Sequence, residues 1–134
     1  GKGEVIQDGE DIAIISLGHM YEVALETVRK LEAEGHSVAL INPRFIKPLD
    51  AELIMRYARK CQVVLTMEDH VLHNGFGSSI IELLSDEGIT TPVERIGWPD
   101  EFIEHGKVEQ LREQHGLTAD HALKLVTSNL QLTS

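Results

Sequence analysis

Short unbroken apolar runs alternate along the chain with longer stretches in which apolar residues recur at helical spacing. IAIISLG (12–18), SVALIN (37–42) and QVVLTME (62–68) are three such runs, and PVERIG (92–97) is the last strand pattern. Strands with one wet face alternate polar and apolar residues; strands covered on both faces do not. The segments AII, VALI and VVL therefore predict a mostly parallel sheet with helices on both sides, and the regular alternation of strand and helix predicts the same α/β class. EVIQ (4–7) adds a short strand before the turn DGED (8–11).

The helical stretches have legible ends. From Met20 to Glu34, the residues Tyr21, Ala24, Leu25, Val28 and Leu31 form one stripe, and Gly35 supplies a left-handed cap. Asp50 is placed to cap a helix from Ala51 to Lys60, with Leu53, Ile54, Tyr57 and Ala58 inward. A third helix runs from Gly77 to Glu87 and turns Ile80, Ile81, Leu83 and Leu84 inward. Two short helices close the chain, Lys107 to Gln114 and then Ala119 to Leu130, the second capped by Thr118. Internal repeats, low-complexity tracts and linkers are missing from the pattern, which predicts a single domain over residues 1–134.

Composition narrows the partners. Hydrophobic residues make up 42% of 134, enough for a core without staples. No apolar run reaches the roughly 18–20 residues of a membrane span. The net charge of −10 repels phosphate backbones, which argues against nucleic acid. The first twelve residues are polar and glycine-rich and carry no signal-peptide pattern. Cys61 is the one cysteine, so no internal disulfide forms; it reads as structural and fits a reducing compartment. The chain begins at Gly1 rather than Met, and we expect it to be a piece of a longer protein.

Ligands of open α/β sheets bind beyond the carboxyl ends of the strands, where strand order reverses. LGHM (17–20) and EDHVLHNGFGSS (68–79) leave such ends. Gly18, Gly75, Gly77 and Ser78 are candidates for a structural turn or an anion cradle at a helix start. The third glycine of a dinucleotide fingerprint is missing, and Glu68 and Asp69 oppose an anion. Glu68, Asp69, His70 and His73 could converge on a metal, but a three-residue His spacing in a glycine-bearing loop is not diagnostic of a zinc site. His19, His70, His73 and His105 are of the residue type suited to acid–base work, yet no G-x-S-x-G nucleophile accompanies them. Trp98, Phe102 and Ile103 are large apolar residues in the loop IGWPDEFIEHG (96–106), and such a loop suits an interface as well as a private core.

NPRFIKPLD (42–50), TMEDHVLHNGFGSSIIELL (66–84) and IGWPDEFIEHG, in that order and spacing, resemble the C-terminal domain of the 1-deoxy-D-xylulose-5-phosphate synthase family. GKGEVIQDGEDIAIISLGHMYEVALETVRKLEAEG is similar to the start of that domain, so the likeness spans about residues 1 to 127. Transketolases and the beta subunits of 2-oxoacid dehydrogenases share related positions, and a stand-alone doubly wound ligand-binding module is a further alternative. Asn74 stands where the family commonly has glycine, a residue that tolerates the left-handed region.

The resemblance implies three αβα layers around a mixed five-stranded sheet of order 1-3-2-4-5, with strand 1 antiparallel at the edge. It implies a three-domain, cytoplasmic, homodimeric transferase that holds thiamine diphosphate and magnesium in its earlier domains. Such an enzyme condenses pyruvate with glyceraldehyde 3-phosphate, releasing carbon dioxide, in isoprenoid, thiamine and pyridoxal precursor synthesis. The cofactor's Gly-Asp-Gly…Asn motif is missing here. The expectation is a non-catalytic assembly domain with no catalytic, cofactor or metal residues of its own. Its candidate domain or dimer contacts are Glu68, Asp69, His70, His73, Phe76, Trp98, Phe102 and His105.

Overall fold

The three unbroken apolar runs become the three inner strands of one sheet. The computed structural model describes residues 3–17, 20–43, 50–69, 75–98 and 108–130, with the backbone alone for Asp69, Trp98 and 108–117. The elements are β1 (Glu4–Gln7), β2 (Ile12–Ser16), α1 (Tyr21–Ala33), β3 (Val38–Asn42), α2 (Ala51–Lys60), β4 (Val63–Asp69), α3 (Phe76–Asp86), β5 (Val93–Trp98) and α4 (Val108–Leu130). The strand order is β1-β3-β2-β4-β5, as the family likeness implied. Strands β2 to β5 are parallel, and β1 runs antiparallel to β3 at the edge, with Glu4 opposite Asn42.

Successive side chains of a strand point to opposite faces, so each apolar run feeds two cores. On one face Ile12, Ile14, Leu40, Val63, Leu65 and Met67 meet Val23, Ala24, Val28 and Leu31 of α1 and Ala119, Ala122 and Val126 of α4. On the other, Ala13, Ile15, Ala39, Ile41 and Val64 meet Ile54, Tyr57 and Ala58 of α2 and Phe76, Ile80 and Leu84 of α3. This is the three-layer arrangement. Each Ile or Leu taken fully from water contributes about 1.5–3 kcal/mol.

The helix ends follow the sequence closely. Gly35 has φ 92°, and its N–H and that of His36 donate to the Glu32 and Leu31 carbonyls at 2.9 and 3.1 Å, closing α1. Asp50 accepts from the Leu53 N–H at 3.3 Å to cap α2, and from the Gly3 N–H at 2.9 Å, which ties the approach to β1 onto the same side chain. At the amino ends of the strands, Asp8 accepts from the Tyr57 hydroxyl at 2.6 Å, the Lys60 ammonium at 3.0 Å and the Gly9 N–H at 2.9 Å.

Two expectations are corrected. The closing segment is one helix, α4, rather than two. A single interior glycine such as Gly116 costs a helix only about 1 kcal/mol, too little to break it once packed. Lys30 of α1 and Asp120 of α4 are 2.7 Å apart across that packing. Secondly, Tyr21 and Ile81, read as inward-facing, are 39% and 40% exposed. The inner line of α3 is Phe76, Ile80 and Leu84, one residue in four, and Ile81 lies about 100° round the helix from Ile80.

Candidate functional site

Strand order reverses at β2, whose neighbours are β3 on one side and β4 on the other. The Leu17 N–H donates to the Met67 carbonyl at 2.8 Å, so the carboxyl ends of β2 and β4 stay side by side. At this end a charged residue interrupts an apolar face. Glu68 is 1% exposed. Strand alternation carries Val64, Thr66 and Glu68 to the face that α3 covers.

Glu68 Oε2 accepts from the Gly77 N–H at 2.8 Å, and Oε1 lies 3.6 Å from Arg95 Nη2. A buried carboxylate is costly unless hydrogen-bonded and paired. Both compensations are present, and the positive end of α3 adds a third. The anion that this helix start receives is therefore the chain's own carboxylate.

Local backbone makes the contact reachable. Gly75, with φ 96°, turns the chain into α3 in a region that side-chain-bearing residues avoid. Ser79 bonds back through its N–H at 3.0 Å and its hydroxyl at 3.1 Å, both donating to the Gly75 carbonyl. Gly77 needs space rather than unusual dihedrals: a Cβ there would stand 2.5 Å from Arg95 Nε and 3.0 Å from Cγ and Cδ. Arg95 lies across the start of α3. Its Cα is in register with Thr66, whose hydroxyl is buried without a partner among the described residues.

The predicted contact residues fall as follows. Glu68 and Phe76 are inside, Phe76 in the core with α2 and α3. Asp69 and Trp98 end β4 and β5 as register partners. Gly75, Gly77 and exposed Ser78 form the start of α3. Gly18, His19, His70, His73, Phe102 and His105 lie outside the described residues, as does 44–49 of NPRFIKPLD. Sequence reading missed Arg95 and Thr66. Strand parity places Thr66 with Glu68, but Arg95 joins them only through the β4–β5 register, which the sequence does not state.

Cys61 sits at the other end of the sheet, with burial pushing its thiol up to about 11 and its sulfur 4.0 Å from the Gly9 carbonyl. Among the described residues no three His, Cys, Asp or Glu side chains converge as a metal site requires. Nor is any described helix long and apolar enough to cross a membrane. A hollow of about 330 Å³ between the end of α3 and the approach to β5 is lined by Ile81, Leu84, Ile89 and Val93.

Residues 1–122 match the family described as the transketolase C-terminal domain. The chain is 50% identical over 124 residues to a 1-deoxy-D-xylulose-5-phosphate synthase of Acidobacterium capsulatum and 52% identical to that of Methylacidiphilum infernorum. In both cases the match takes in 92% of this chain and 20% of the relative, so the chain spans about a fifth of those enzymes' length. Among solved structures, a split-gene transketolase described as an inactive β4 tetramer superposes with a TM-score of 0.78 at 36% identity, over 99% of this chain and 42% of that one.

Proposed function

Since the chain belongs to the transketolase C-terminal domain family, we propose that it serves as the assembly domain of a 1-deoxy-D-xylulose-5-phosphate synthase. The longer chain would be a thiamine-diphosphate transferase condensing pyruvate with glyceraldehyde 3-phosphate, cytoplasmic and homodimeric. The observation that carries this reading is the likeness to such synthases at 50–52% identity across 92% of the chain.

The described residues do not fit the cofactor themselves. A diphosphate–magnesium site takes helix N–H groups together with oxygen ligands for the metal. The glycine-bearing helix start of α3 is filled by Glu68, a negative charge that repels a diphosphate, and among the described residues no metal-ligating trio faces it. We place diphosphate and magnesium in the earlier domains, as the family likeness implies, and assign no catalytic step to this chain. Its part is to present a rigid sheet end against which those domains pack. The β4 tetramer of the split-gene transketolase supports a self-associating domain, and with it the homodimer.

The test is an activity assay on the longer chain that carries these residues. Carbon dioxide release from pyruvate should depend on glyceraldehyde 3-phosphate as acceptor. Turnover with ketose donors and no pyruvate would instead assign the domain to a transketolase.

A further inference from the structure

The face of the sheet beneath α2 and α3 is apolar except at one end, where Thr66, Glu68 and Arg95 lie together. We propose that Glu68, Gly77 and Arg95 form a three-part lock that sets the first turn of α3 as the docking edge for an earlier domain of the same longer chain. This rests on the assembly-domain reading above.

Each part of the lock leaves a mark. Glu68 divides its two oxygens between the Gly77 N–H and Arg95 Nη2, so one buried side chain fixes both helix and strand. The three atoms nearest to a Cβ at Gly77 all belong to the Arg95 side chain, and its φ is not among the positive ones. A glycine inside a helix is otherwise a cost, since alanine is the better helix former. Arg95 is 38% exposed, and Glu68 is its sole polar partner among the described residues. Most of its N–H donors therefore have no partner among the described residues.

The occupant follows from length and charge. The chain covers a fifth of the synthases it matches, so most of such a protein lies outside these residues and must pack somewhere. On a chain of net charge −10, an arginine pinned by a buried carboxylate is a fixed cation suited to an acidic side chain of that neighbour. Glu68 touches no neighbour itself; it is a positioning residue acting through Arg95 and α3.

Two measurements test the proposal. First, melting of the 134-residue chain is compared for Gly77→Ala in the native background and beside Arg95→Ala. In the native background the alanine should lower Tm, because it displaces Arg95. With Arg95 shortened, the same alanine should leave Tm unchanged or raise it. An equal loss in both backgrounds overturns the lock. Second, amide exchange at residues 76–79 is compared between the 134-residue chain and the longer chain. Docking should slow exchange about tenfold in the longer chain. Arg95→Ala should abolish that slowing, and Arg95→Lys should restore part of it. Equal exchange in the two native chains overturns the docking edge. A longer chain inactive on pyruvate that still shows the slowing would retire the enzyme reading and leave the docking edge standing.

Discussion

Single side chains decide how this fold responds to pH. The Asp8 carboxyl is lowered to about 2, chiefly by the Tyr57 hydroxyl, then by the Lys60 ammonium and the Gly9 N–H. A carboxyl depressed by folding stabilises the native state above its unfolded value of about 3.9, and that stabilisation is lost as pH falls through the folded value. Tyr57→Phe should therefore lower Tm near neutral pH, with the gap to the native protein narrowing between about pH 4 and pH 2. The side chain of Asp8 is largely exposed, so the effect is small. A gap constant down to pH 2 would contradict the assignment. Thr66 gives the opposite prediction. Its buried hydroxyl lacks a partner among the described residues, so the isosteric Thr66→Val should gain about 1 kcal/mol in urea unfolding. A loss of stability would show that the hydroxyl is hydrogen-bonded after all. Glu68 was visible in the sequence as one of a polar cluster, but its burial was not. Only the pleat and the β5 register turn it from a surface candidate into an internal helix cap.

At the scale of elements, local signals carried most of the structure. Strand runs, the Asp50 cap and the Gly35 terminus are matters of neighbouring residues, and they appear where the pattern puts them. Asp50→Ala should cost about 1 kcal/mol as a lost cap. It should also loosen the Gly3 end of β1, since the same carboxylate accepts from both segments. Faster amide exchange at Leu53 without change at Gly3 would show that the two bonds are independent. The pattern failed where packing overrides propensity. The pattern put a break between Gln114 and Ala119 with Thr118 as a cap, yet α4 runs through it and packs Ala119, Ala122 and Val126 against the sheet. Ile81 failed for a related reason. An apolar residue off the inner line of a helix stays exposed unless another body covers it.

For the whole molecule, strand order is the property that composition and periodicity leave open. Unbroken apolar runs predict a doubly covered sheet, but many orders satisfy them. Family likeness supplied the order β1-β3-β2-β4-β5 and the antiparallel edge, and the fold has both. The central proposal is that this domain shapes and supports a thiamine enzyme without holding its cofactor. Calorimetry with thiamine diphosphate and magnesium, run in parallel on the 134-residue chain and on the longer chain, tests it most directly. The account predicts saturable heat from the longer chain alone; saturable one-to-one binding by the 134-residue chain would contradict it.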